Sequence, residues 1–208
     1  MKSILLAVFV FAATPVRAQT QFRPFFLMTG ERMAAQKTFD AALGSGTQPF
    51  FGGGVDVTIR RKLFVEFDAS RLSKTGTRFF ADDAGNVYTL NIASRIAITP
   101  VEVSAGYRFI RRRSRIIPYV GVGVGWYSYH QDDDFSDASE NVDETHAGFL
   151  ATGGAEFRVS KWVGVTADAR YTHVPGILGQ NAKTSGSQVL NETDLGGIAA
   201  RLRVIIGR

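Results

Sequence analysis

Segments with one apolar face and one charged face recur along this chain, and that alternation leaves few folds open. In FFGGGVDVTIRRKLFVEFDASRL, residues 50–72, Val55, Val57 and Ile59 alternate with Asp56, Thr58 and Arg60. After a basic turn, Leu63, Val65 and Phe67 alternate with Phe64, Glu66 and Asp68. A period of two belongs to β-strands. The same pattern predicts strands over roughly 22–32, 49–60, 63–73, 87–110, 116–130, 146–159, 162–174 and 193–206, and no stretch shows a convincing period of 3.6. Three connections are tight and basic: Arg60-Arg61-Lys62, the RRRSR run from Arg111 to Arg115, and Ser160-Lys161. Four are long, about 33–48, 74–86, 131–145 and 175–192. Long and short connections alternate strictly, so an eight-stranded meander gathers its long loops at one end, the asymmetry of transmembrane barrels.

One irregularity lies in the fourth segment. Ile92, Ile96 and Ile98 occupy even positions, whereas Val101, Val103, Ala105, Tyr107 and Phe109 occupy odd ones. A β-bulge at Thr99-Pro100 would keep both sets on one face, and proline tolerates such a site because it lacks the ladder donor.

Which face meets water decides between a soluble sandwich and a membrane barrel. The apolar parity of the seven clearest strands comprises 36 positions, none of them charged. The opposite parity carries Asp56, Arg60, Glu66, Asp68, Glu102, Arg108, Glu156, Arg158, Asp168, Arg170, Arg201 and Arg203, which are six acids and six arginines. It holds no lysine; Lys2, Lys37, Lys62, Lys74, Lys161 and Lys183 fall in the N-terminal leader, turns or loops. Arginine opposite carboxylates suits enclosed pairing, because the guanidinium fork satisfies several acceptors at once. The same face is rich in glycine, including Gly54, Gly106, Gly121 and Gly154. Glycine fits the interior of an eight-stranded barrel, which is only wide enough for side chains to fill. The charged face is therefore read as a lumen and the apolar face as lipid-facing. Arg23 and Arg95 stay unassigned, because their strands have uncertain parity. Aromatics near the strand ends read as two interfacial girdles: Tyr107, Phe109, Phe157 and Trp162 near the short turns, Phe51, Trp126, Phe149 and Tyr171 near the long loops.

The first residues, MKSILLAVFVFAATPVRAQT, have the form of a cleaved export signal, with Lys2, an apolar run and Val16-Arg17-Ala18 before Gln19. Residues 1–18 are thus expected to be a signal peptide and 19–208 a single barrel domain. The absence of cysteine excludes a disulfide framework and thiolate metal sites. Removing Lys2 and Arg17 lowers the net charge from +5 to +3.

PVEVSAGYRF (100–109), RIIPYVGVGVGWY (115–127) and the closing GGIAARLRVIIGR carry a resemblance. In them the chain resembles the small eight-stranded outer-membrane barrels of the OmpA/OmpX type, over essentially all of 19–208. The resemblance implies an all-β, eight-stranded antiparallel up-and-down transmembrane barrel in the outer membrane, with short periplasmic turns and four longer outer loops. It also implies a plugged lumen, no cofactor, and assembly by the outer-membrane insertion machinery. Such barrels commonly end in an aromatic residue, whereas this chain ends Ile205-Ile206-Gly207-Arg208.

Other features carry weaker chemistry. The loop QDDDFSDASENVDET (131–145) could hold Ca²⁺ or meet a basic partner, but its spacing fits no EF-hand and reads as a solvated loop near lipopolysaccharide. The basic turns lack interleaved aromatics and suit anionic lipid head groups better than nucleic acid. His130 and His146 flank the acidic loop and could share a zinc ion. The run ARYTHVPG (169–176) is loosely similar to the Arg-x-x-His-x-Ser motif of lipid A deacylases, with Arg170 and His173 matching and Pro175 where the serine hydroxyl belongs. The expected role is structural support or surface recognition by a monomer bathed in outer-membrane lipid and lipopolysaccharide, with a possible extracellular ligand at the loops and no catalytic residue. The rivals are a lipid A-modifying enzyme centred on His173 and a soluble periplasmic ligand-binding barrel.

Overall fold

The structure, a computed structural model, describes residues 20–82, 86–111, 114–133, 142–178 and 186–207. The expected signal peptide, Arg112 and Arg113 of the second basic turn, Lys183, and Asp134, Asp137 and Glu140 of the acidic loop lie outside the described residues. Eight strands form: β1 (Gln21–Met33), β2 (Thr47–Ile59), β3 (Leu63–Ala81), β4 (Val87–Arg108), β5 (Ile116–Asp133), β6 (Val142–Arg158), β7 (Val163–His173) and β8 (Gly197–Ile206). Each pairs antiparallel with its neighbours, and β1 pairs with β8 from Phe25↔Ile205 to Met33↔Gly197, closing the barrel. Closure gives the strands of the ring a partner on both sides, and paired backbone groups are what permits strands to cross a bilayer.

Side chains segregate by parity along the strands except in the outer parts of β3 and β4. The expected outward positions are mostly solvent-accessible and apolar, with Val122 at 67%, Trp162 at 64% and Ile198 at 63% exposed, and Phe26 of β1 joins them at 70%. The eight girdle aromatics are all on this outer surface. Tyr107 and Phe109 meet edge to face at 5.3 Å between ring centroids, and the Lys62 ammonium stands 5.8 Å above the Tyr107 ring. Toward the long loops, exposed Arg71 lies directly across from Phe51 and marks where the outer wall of β3 turns polar.

The bulge expected at Pro100 does not form. Residues 98–101 of β4 pair with 126–129 of β5 without interruption, and Leu72↔Ile98 keeps the register of Ala69↔Val101 in β3. The shift between β3 and β4 falls instead between Thr77 and Phe79. With register unbroken here, even positions stay inside from Arg108 up to Ser94, so Ile96 and Ile98 point into the barrel. They do so because the interior changes character with height.

Strand lengths explain that change. β3 to β6 run 17 to 22 residues, against 10 to 13 for β7, β8, β1 and β2. A tilted span needs only about 9–11 residues, so the longer strands continue past the bilayer as a tall wall. Most of the expected loop 74–86 is therefore strand, and beyond its end the Asn86 amide donates to Asp82 Oδ1 at 2.8 Å. On the low side the connections carry helices, α1 (Gln36–Leu43) and α2 (Gly186–Val189). α1 was not anticipated, yet Phe39, Ala42 and Leu43 stand at i, i+3 and i+4 and are all buried. Two turns are too short for that period to stand out in the sequence.

Candidate functional site

Among the described residues, buried polar chemistry concentrates in the interior of the barrel, and it is layered. Nearest the short turns, Arg23 donates from both terminal nitrogens to the two Glu156 oxygens at 2.9 Å each, and from Nε to Asp56 Oδ1 at 3.2 Å. Arg108 donates to the other Asp56 oxygen and to Thr58 Oγ1 (2.7 Å), and its guanidinium lies 4.5 Å above the Phe64 ring. Strand geometry alone brings β1, β2, β4 and β6 residues together here, because inward side chains of an eight-stranded barrel reach across the axis.

One level up, Arg201 Nε donates to Asp168 Oδ1 at 2.6 Å and Arg203 Nε to Thr166 Oγ1 at 2.9 Å. Arg203 also donates to Glu66 and to the Tyr119 hydroxyl, which itself donates to Asp168 Oδ2 at 2.6 Å. Higher still, Arg170 donates to Glu102, with Glu31 at 3.7 Å, and Tyr127 donates to the second Glu102 oxygen at 2.6 Å. Isolated buried charges are too costly to retain, whereas charges with this many partners are held at fixed positions.

Glycines admit the rings that fill the remaining space. A Cβ at Gly106 would lie 2.5 Å from Phe64 Cζ, and one at Gly54 would lie 2.7 Å from Phe25 Cζ.

Ten of the twelve expected lumen charges are buried: Asp56, Glu66, Asp68, Glu102, Arg108, Glu156, Asp168, Arg170, Arg201 and Arg203. Two are not. Arg60 is exposed in the first turn at φ 50°, where the chain must reverse, and Arg158 is half exposed at the rim, 3.7 Å from Glu156. Two further members enter, both inward on β1: Arg23, which the sequence leaves unassigned, and Glu31. Arg95 faces outward. The expected equality of signs is thereby replaced by seven carboxyls and five guanidiniums among the described buried residues. The surplus shows at Asp68, which pairs across the ladder with Glu102 and takes part in none of the described ion pairs.

Above the charges the barrel is closed by an apolar cap. Phe39 and Leu43 of α1 pack with Met33, Phe50, Leu72, Ile96 and Ile98, and with Val174, Ile177, Leu178 and Leu195 from the connection between β7 and β8. The helix can approach because β3 has glycine at 76, where a Cβ would lie 1.9 Å from the Ala42 carbonyl oxygen. Glu192 accepts from the Lys37 and Thr38 amides at 3.2 and 2.8 Å, compensating the open amides of the α1 N-terminus. Lys74 Nζ donates to the Leu43 carbonyl at 3.0 Å, covering the other helix end.

Asp194 organises the cap edge, accepting from the Val174 and Gly196 amides at 2.8 Å each while its second oxygen meets His173 Nδ1. The His173 ring leans on Phe149 at 5.1 Å between centroids. An imidazole oriented by a carboxylate is half of a hydrolytic relay, but position 175 supplies a backbone carbonyl and no hydroxyl. His130 is exposed on the outer wall of β5, whereas His146 is on the inner parity of β6, so they do not converge on one ion. No cluster of three metal-binding side chains occurs among the described residues.

A closed antiparallel barrel, lipid-ready outside and filled with side chains inside, defines a small transmembrane β-barrel. The chain belongs to the outer membrane protein beta-barrel domain family, whose model matches residues 3–190. It resides in the outer membrane, with its short turns toward the periplasm and long loops outside. The barrel domain of OprF from Pseudomonas aeruginosa is 12% identical, with 91% of this chain and 100% of that one covered and a TM-score of 0.49. Neisserial surface protein A is 16% identical, with 89% and 96% covered and a TM-score of 0.48. OprG of P. aeruginosa is 12% identical, with 90% and 92% covered and a TM-score of 0.48. A comparison with curated protein sequences returned no match.

Proposed function

We propose that this protein is a sealed envelope barrel, exported by a signal peptide spanning residues 1–18, that supports the outer membrane or presents its outer loops for recognition. The observation that supports this reading most is the double filling of the lumen. Arginine–carboxylate pairs occupy the periplasmic half, and α1 with its apolar neighbours occupies the outer half. A water-filled path for solutes has no room in such an interior. Its partners are then the lipid and lipopolysaccharide around its wall, the insertion machinery that places it there, and whatever ligand meets the loops, with the barrel acting as a monomer. Planar-bilayer recordings of the refolded protein test this directly. Closed traces are expected, and a steady large conductance would overturn the sealed-barrel reading.

The enzymatic alternative has one specific support, the His173–Asp194 contact at the outer rim. It lacks a nucleophile at position 175, so expression is expected to leave the acyl pattern of lipid A unchanged in mass spectra. The soluble ligand-binding alternative fails on the exposed apolar wall, which a water-soluble barrel would have to bury.

A further inference from the structure

The periplasmic mouth of the barrel opens into a cavity of about 800 Å³. Six of its described lining side chains are cationic and one, Glu156, is a carboxylate. In the deeper part, Asp56 and Glu156 already balance Arg23 and Arg108. The mouth then adds Arg115, Arg158 and Lys161, with Arg61 beside them, and no further acid among the described lining residues. Arg158 reaches Glu156 only at 3.7 Å, and that carboxylate is already engaged bidentately by Arg23.

A second observation points the same way. Arg108 is 5% exposed, yet its Nε makes no hydrogen bond, the nearest Glu156 oxygen being 3.7 Å away. A buried guanidinium N–H without an acceptor is costly and is satisfied when an acceptor arrives. Like-signed cations converging on a concave mouth create a field that concentrates anions.

We propose that this vestibule is a binding site for a phosphate or carboxylate group presented from the periplasm. Arg115, Arg158 and Lys161 attract and hold the group, and the deeper ion pairs form a rigid floor. The shared chemistry is a compact oxyanion with several acceptor oxygens, which the guanidinium fork recognises better than a halide. It reaches the site either as a free periplasmic anion or as the head group of an adjoining inner-leaflet lipid.

The test uses the whole exported chain in zwitterionic micelles, titrated with inorganic pyrophosphate in phosphate-free buffer. Amide resonances of Gln21, Ser160 and Gly207 are expected to shift saturably. The double variant Arg158→Gln/Lys161→Gln should weaken binding about tenfold, the loss expected for two partly exposed charges. Arg71→Gln/Arg95→Gln, at the opposite end of the barrel, should bind as the parent does. No shift up to about 10 mM pyrophosphate, which is weaker than any useful affinity, would overturn the proposal, as would equal weakening in both double variants. Repeating the titration in phosphatidylcholine nanodiscs with and without phosphatidylglycerol distinguishes the sources. Competition by the anionic lipid assigns a head group and indifference assigns a free anion, and both outcomes sustain the oxyanion site.

Discussion

The two halves of the lumen solve the same filling problem with opposite chemistry. In the periplasmic half, every filler is a strand side chain, and the fillers are arginines, acids, threonines and a few rings. In the outer half, the strands contribute Phe50, Leu72, Ile96 and Ile98, and loop residues complete an apolar cap. The difference follows from what each half can import. Inside the bilayer the barrel has only its own walls, and long arginines spanning the axis fill it while pairing with acids. Beyond the bilayer, connections fold inward and bring their own hydrophobic groups. Ion pairing depends on exact partners, whereas apolar packing depends on volume, so the two halves should fail differently.

The largest effect is expected from Arg203→Leu, which leaves Glu66 only the Arg201 guanidinium at 3.7 Å and deprives Asp168 and Tyr119 of a partner. Breaking a buried network from one side costs about 3–5 kcal/mol. It should appear as a lower urea midpoint in the heat-modifiable gel shift, with amide protection in α1 unchanged. Loss of α1 protection in that variant would erase the distinction between the halves. Gly76→Val drives a side chain into the Ala42 carbonyl and is expected to cost about 1–3 kcal/mol as overpacking. Here hydrogen exchange should accelerate in 36–43 while the periplasmic half stays protected. Glu192→Gln weakens the anionic cap on α1 and should cost about 1 kcal/mol, read as local exchange confined to the same helix. Asp68→Asn is the smallest change and the most discriminating. Since Asp68 sits across from Glu102 among surplus acids, its neutralisation should leave stability equal or raised, unlike any other acid in the network. A marked fall would mean that Asp68 is paired as tightly as Asp56.

Much of this was legible in the residue order. Eight strands, their meander and the lipid-facing parity follow from alternation, as in Val55–Ile59 and Leu63–Phe67. β3 runs past its expected end because Ser73 to Arg78 are polar on both faces, and alternation carries no signal where both faces meet water. Ile96 and Ile98 suggested a bulge because an apolar side chain was assumed to face lipid, while in the outer half it faces the cap. α1 left only a three-residue trace of helical spacing. Arg60 was assigned by extending parity one residue too far into a turn with positive φ. Glu31 belongs to a strand whose parity was unclear, although the inward set Phe25, Leu27, Thr29, Glu31 and Met33 is consistent once Arg23 is placed inside.

Residue order alone settled how many strands there are and, for most of them, which side meets hydrocarbon. Strand pleating and the ban on charge at a lipid surface both act over a few neighbouring positions. Which guanidinium meets which carboxylate, as for Arg23 and Glu156, and how distant connections join to roof the barrel, came only with the closed structure. Those contacts depend on shear, height and cross-axis distance, none of which any short window of sequence contains.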